Sequence, residues 1–188
     1  MKLSWSHKLF LRINKTLGKR PLLDTIMYFC GQWLIVIMAV VTAILFLTYL
    51  QKSQLLMALI FAGVTFLLAY GISYTIALLF KHPRPIRELP NVKELIVPIE
   101  NWKSFPSDHT IAATLMTIFS WYATYSFPIV MGMMVAALCV MAGRVYCGVH
   151  YPRDILGGIV VAFFSTAIVV FGFLLLVFWA LGNPSIMN

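Results

Sequence analysis

Apolar residues along this chain gather in long, nearly uncharged runs, and the polar residues collect between the runs instead of alternating with apolar ones. Strand alternation and short amphipathic stripes both fail to describe that pattern; runs of about 20 or more apolar residues belong in a bilayer. Five runs bounded by charge, proline or glycine predict five transmembrane helices, near 22–50, 54–80, 107–127, 128–146 and 155–181. The third and fourth are the least apolar, meet in a tight turn at Phe127-Pro128, and hold their polar residues at one end. Ahead of them, residues 1–21 place Leu9, Phe10, Ile13 and Leu17 on one helical face and Lys8, Arg12 and Lys15 on the other. That is the pattern of an interfacial helix, or of a basic flank that anchors topology. Gly18 offers a stop and Pro21 an entry to the first span, and the stretch is too charged for a signal-peptide core. The expected fold is an all-α polytopic membrane helix bundle, one domain over residues 1–188.

Composition agrees: of 188 residues, 61% are apolar and 11% charged, against about half and about a quarter in soluble domains. A net charge of +8 would raise the question of nucleic acid in a soluble module. With no basic stripe on such a module, anionic lipid or a phosphorylated substrate is the better partner. Cys30, Cys139 and Cys147 show no metal-ligand spacing. Five spans put residues 1–21, 81–106 and 143–154 on one side of the membrane, and that side holds 13 of the 14 Lys and Arg residues, all but Lys52. All four histidines and all six acids lie there or at span ends beside it, so one side carries nearly all the polar chemistry.

Three clusters stand out on that side. In Lys81-His82-Pro83-Arg84-Pro85 the prolines end a helix and stiffen the chain around Arg84, whose guanidinium can fork onto phosphate oxygens; the plain alternative is a basic stop-transfer flank. In Phe105-Pro106-Ser107-Asp108-His109-Thr110 a loop turns into a span, with Ser107 or Asp108 as N-cap, the first-turn N–H groups as an anion site and His109 beside it. A capped helix with a spare histidine is the alternative. The third cluster, Arg144 to Asp154, sets Arg144, His150 and Asp154 between two spans. An aspartate that accepts one imidazole N–H fixes the tautomer and leaves the other nitrogen able to attack; an interfacial salt bridge from Arg144 or Arg153 to Asp154 is the alternative. Together the three suit transfer of a phosphoryl group to histidine, which needs in-line positioning and cations around the equatorial oxygens.

Arg84-Pro85, then Pro106-Ser107-Asp108-His109, then Arg144 with His150 and Asp154, resembles the three-part signature of the type 2 phosphatidic acid phosphatase superfamily. Within it, the Phe-Pro-Ser-Asp-His-Thr and Gly-Val-His-Tyr-Pro-Arg-Asp strings, and an N-terminal stretch ending in Pro21-Leu22-Leu23-Asp24, look most like the bacterial undecaprenyl-diphosphate phosphatases. The resemblance implies that His150 is the nucleophile, supported by Asp154, and that His109 protonates the leaving oxygen. Arg84, Arg144 and Ser107, with backbone N–H near Asp108, would hold the transferred group, without metal or other cofactor. Three positions depart from the superfamily pattern. Ala77 stands where a lysine is usual, so Lys81 is the nearest substitute; Asp108 replaces a glycine; and Gly143 replaces a serine, removing one phosphate hydrogen bond.

The resemblance also implies a multi-pass plasma-membrane protein whose site faces the extracytoplasmic side, whereas the positive-inside rule puts the basic side in the cytoplasm. Seven of those 13 cations lie in the active-site loops, where function explains them, but the N-terminal six do not. Undecaprenyl diphosphate is the substrate the resemblance favours, with phosphatidic acid or phosphatidylglycerophosphate as the alternative. The 81–106 loop is expected to cover the site, with Val92, Leu95, Ile96 and Ile99 forming a short interfacial face and Trp102 a headgroup anchor. A vanadate-dependent haloperoxidase shares the phosphate pocket but is soluble. A non-enzymatic transporter or assembly protein is opposed by mid-span positions without Asp, Glu, Lys or Arg.

Overall fold

The computed structural model describes residues 3–98 and 102–182, and within them the chain is helical. Eight helices follow in order: α1 Trp5–Asn14, α2 Pro21–Gln32, α3 Leu34–Tyr49, α4 Lys52–Leu79, α5 Pro85–Glu88, α6 Asp108–Thr124, α7 Phe127–Tyr146 and α8 Pro152–Gly182. Three of them, α4, α7 and α8, are long and apolar enough alone to cross a membrane, and α2 with α3 passes the same test together as a bent pair, the form of a broken span or a re-entrant loop.

α6 lies at the centre, against α3, α4, α7 and α8. At 17 residues it is at the short limit for a span. Its modest hydropathy has a physical reason. Buried Ala112, Ala113 and Ala123 let neighbouring backbones approach, while Thr114 and Ser120 return their hydroxyls to carbonyls of their own helix, Thr110 at 2.8 Å and Met116 at 2.8 Å. At its far end, Phe119 meets the rings of Phe46, Phe61 and Phe66. The large side chains of α4 and α8, such as Leu67, Leu79, Phe163 and Leu176, point outward, as lipid-facing residues do.

The span expected over 22–50 is bent by 46° where α2 gives way to α3 at Trp33. No proline marks the break. Instead α2 presses backbone to backbone on α7: a Cβ on Gly143 would stand 2.4 Å from the Gly31 nitrogen, and the Arg144 guanidinium donates to the Gly31 carbonyl at 3.1 Å. A cation bonded to a helix carbonyl at that point is a recognised cause of a kink.

The N-terminal helix differs from its expected pattern. Its buried face is Ser6, His7, Phe10, Asn14 and, beyond its end, Leu17, while Leu9 is exposed. Phe10 and Leu17 pack in the core with Leu11 and Ile13 against it, His7 and Asn14 add polar bonds to Glu88 and Lys93, and Lys8, Arg12 and Lys15 point outward. Asn14 donates to the Lys93 carbonyl at 2.7 Å and accepts the Lys93 N–H at 3.0 Å, pinning the 81–106 loop. Val92 and Ile96 of that loop are core residues instead of a membrane face; Leu95 is exposed, and Ile99 lies outside the described residues. Trp102 sets its ring edge-on to Tyr74.

Candidate active site

His150 sits between α7 and α8 in a turn that its neighbours dictate. Gly148 takes a φ of 87°, and a Cβ there would meet the Lys93 carbonyl oxygen at 2.4 Å, so the turn needs glycine twice over. Pro152 then opens α8, and Asp154, in its first turn, reaches back to accept the Tyr151 N–H at 2.8 Å, capping the helix that carries it.

The imidazole is buried. Its Nδ1 stands 2.9 Å from the Ser104 carbonyl oxygen, which only accepts, so Nδ1 carries the proton and Nε2 the lone pair. That lone pair faces Arg84: Nη1 lies 3.3 Å from Nε2 and donates to the Val149 carbonyl at 3.0 Å. Asp154 was expected to accept the imidazole N–H directly. Its Oδ2 is instead 3.6 Å from Nδ1 and accepts the Ser104 hydroxyl at 2.6 Å. The tautomer is therefore set by the Ser104 backbone, and Asp154 holds that serine while contributing its charge at short range. Burial, aided by the Arg144 and Arg84 charges and opposed by Asp154, pushes the His150 pKa down to about 4, so the ring is neutral at physiological pH.

A cavity of about 660 Å³ opens beside it, and Arg84, Lys103, Asp108, His109, Arg144 and His150 all line it. Five segments bring them there: the loop after α4, the loop after α5, the first turn of α6, the last turn of α7 and the turn before α8. The structure thus gathers Arg84, Asp108, His109, Arg144 and His150 around one space, with Asp154 directly behind. Ser107 is placed differently. It is the N-cap residue of α6 but makes no capping bond, is fully buried, and is not part of the cavity wall; its Oγ has no hydrogen-bond partner among the described residues. Lys81 is exposed and also outside the wall. The lysine at the cavity is Lys103, 7% exposed, whose Nζ meets Asp108 at 2.6 Å and 2.7 Å while the Ser73 hydroxyl donates to the same carboxylate at 2.8 Å. Among the described residues, no three His, Cys, Asp or Glu side chains are grouped to hold a metal ion.

Sequence reasoning passed over Ser104 and Lys103. Ser104 acts through a carbonyl that every residue possesses, and Lys103 read as one more cation in a basic loop. The glycine at 143 also gains a reason: the backbone contact with Gly31 leaves no room for the Cβ a serine would bring.

A neutral imidazole with its lone pair turned to a guanidinium, and a second arginine and histidine on the same cavity, has the donor set of a phosphotransfer site in a membrane helix bundle. The family model of the PAP2 superfamily matches residues 55–179. Undecaprenyl-diphosphatase BcrC of Bacillus subtilis (strain 168) is 29% identical over 181 residues, covering 95% of this chain and 86% of the relative. The Bacillus licheniformis protein named bacitracin transport permease protein BcrC is 31% identical over 183 residues, covering 94% and 81%. Putative undecaprenyl-diphosphatase YbjG of Escherichia coli (strain K12) is 31% identical over 153 residues, covering 80% and 74%. Among solved structures, Aquifex aeolicus LpxE shares the fold, with a TM-score of 0.70 over 90% of this chain and 96% of that one at 23% identity. The chain belongs to the PAP2 superfamily, as a membrane lipid phosphatase and hence a phosphoric-ester hydrolase.

Proposed function

We propose that the protein removes the terminal phosphate of a polyprenyl diphosphate, undecaprenyl diphosphate in particular, through a phosphohistidine on His150. The observation that carries this is the His150 Nε2 lone pair, fixed by the Ser104 carbonyl and turned toward Arg84 at 3.3 Å. Nε2 attacks the terminal phosphorus, the bond from phosphorus to the bridging oxygen breaks, and the electron pair leaves with the lipid monophosphate. His109, protonated when the anionic diphosphate binds beside it, gives that proton to the oxygen. It then takes one from water, whose oxygen attacks the phosphohistidine, breaks the N–P bond and releases inorganic phosphate. Arg84 and Arg144 spread the charge of the equatorial oxygens, and Asp154 stabilises the positive charge that the ring acquires.

The lipid class has its own support. An apolar groove of about 440 Å³, walled by residues of α3, α4 and α6 including Ile35, Ala39, Phe66 and Met116, shares Tyr70 and His109 with the polar cavity. A phosphate held at His150 thus leaves an apolar tail a continuous path outward between helices. The choice of a diphosphate follows the names of the relatives above. The proposed side is extracytoplasmic, where a lipid carrier released outside would be met.

The test is phosphate release by detergent-purified protein from undecaprenyl diphosphate, phosphatidic acid and phosphatidylglycerophosphate. Preference for the first by an order of magnitude or more in kcat/KM is expected; equal or better use of the glycerolipids overturns the substrate.

A further inference from the structure

Behind His150, Asp154 leads into a cluster of Arg153, Glu88 and His7 that the chemistry above does not use. Asp154 Oδ1 has no hydrogen-bond partner among the described residues, but Arg153 Nε stands 3.6 Å away. The other end of that guanidinium, Nη2, is 3.8 Å from Glu88 Oε2. Glu88 Oε1 is 3.2 Å from His7 Nε2, and His7 Nδ1 is 2.6 Å from the Ser4 hydroxyl that caps α1. The ring of Tyr151 is the shared floor: Arg153 lies 4.9 Å over it and His7 packs edge-on at 4.8 Å. The Arg153 backbone N–H also donates to Ser6 Oγ at 3.1 Å. Carboxylate, guanidinium and carboxylate therefore alternate from Asp154 outward and end on the N-terminal helix.

We propose that Glu88 and Arg153 are positioning residues that set how much of the Asp154 charge reaches His150, with α1 fixing Glu88 through His7. This rests on His150 being the phosphoryl acceptor. Arg153 is shared between two carboxylates. Every part of its charge that Glu88 draws away leaves Asp154 more negative, and a more negative Asp154 better stabilises the cationic phosphoimidazole. Side-chain exposures of 17% for Glu88 and 28% for Arg153 keep the pairs only partly screened. The groups that face His150 are otherwise Arg84 from the loop after α4, His109 from α6 and Arg144 from α7, and neither Glu88 nor Arg153 is in the wall of the cavity they line.

The measurement is the titration midpoint of His150 itself, by NMR on the full-length protein with nitrogen-15-labelled histidine in detergent, its signal assigned by its loss in His150→Gln. Glu88→Gln lets Arg153 settle on Asp154 and lowers the midpoint; Arg153→Met removes the cation and raises it, each by about half a pH unit or more. Arg153→Lys restores the wild-type value. In the double variant Glu88→Gln/Arg153→Met the Glu88 effect disappears, because Glu88 acts through Arg153. Unmoved midpoints, shifts of the same sign, or a Glu88 effect that persists without Arg153 overturn the proposal. Removing both partners together is the variant best tolerated by the fold, so it reports even if a single change does not. Phosphate release by the wild-type protein is a separate readout: its absence would sink the proposed function, whereas these shifts test only the relay.

Discussion

In the proposed mechanism the chemistry falls on a single imidazole nitrogen. His150 Nε2 carries the lone pair because Nδ1 is bound to a carbonyl oxygen, and it is neutral because burial and two arginines disfavour its charge. Replacing it by glutamine keeps the donor to Ser104 and removes the nucleophile; phosphate release should fall by about three orders of magnitude or more, measured on purified protein. The depressed pKa has a stability consequence with a definite sign. The unfolded chain takes up the proton near about 6.5 and the folded chain only near about 4, so His150 contributes stability that is complete above the first value and is lost as pH falls toward the second. Thermal unfolding across that window should show a steeper acid loss for wild type than for His150→Gln; parallel curves would contradict a buried neutral imidazole. The residue scale also shows what motif reading reaches and what it misses. Arg84, His109, Arg144 and His150 carry distinctive side chains at distinctive spacing and were legible. The group that sets the tautomer is a backbone carbonyl, for which Ser104 has no side-chain signature.

Among the elements, two carry consequences that hydropathy does not disclose. The first is the bent pair α2–α3. Its bend arises from a backbone contact between Gly31 and Gly143 and from one arginine carbonyl bond, and neither announces itself in a uniformly apolar run. Gly143→Ser drives a Cβ to 2.4 Å from backbone, where no flexible side chain can give way. A loss of about 1–3 kcal/mol is expected, read as a fall in Tm in detergent. The serine that the superfamily resemblance implies at this position should therefore not raise activity, since Arg144 is displaced with α7. The second is α1. Its apolar pattern suggests a membrane-facing stripe, yet Phe10, Ile13 and Leu17 of that stripe pack on the protein core, and His7 and Asn14 add buried hydrogen bonds that hydrophobic periodicity does not register. His7 does leave one trace in the sequence, at the third position after Ser4, where a capping partner belongs.

For the whole molecule, the sequence spoke clearly about architecture and weakly about orientation. Five apolar runs with polar residues on one side became a helix bundle whose central member, α6, is less apolar than α3, α4, α7 and α8 because much of it is buried among other helices. The basic excess is now divided. Arg84, Arg144 and Lys103 are at the cavity, while Lys8, Arg12, Lys15, Lys19 and Arg20 are exposed around α1, turned away from the bundle. Exposed cations of that kind fit an anionic headgroup layer on either side of the membrane, so the count alone does not orient the protein. With the site outside, Lys15→Cys, in a background with Cys30, Cys139 and Cys147 replaced, should react with an impermeant thiol reagent in intact cells. Protection until the cells are opened would place the catalytic face in the cytoplasm.

Phosphoryl transfer through His150 is tested most directly by trapping the covalent species. Purified protein is mixed with undecaprenyl diphosphate labelled in its terminal phosphate and quenched in alkali, where phosphohistidine survives. Label should remain on the wild-type chain, map to His150, and be missing from His150→Gln along with phosphate release. A His150→Gln protein that still releases phosphate at the wild-type rate would contradict the mechanism.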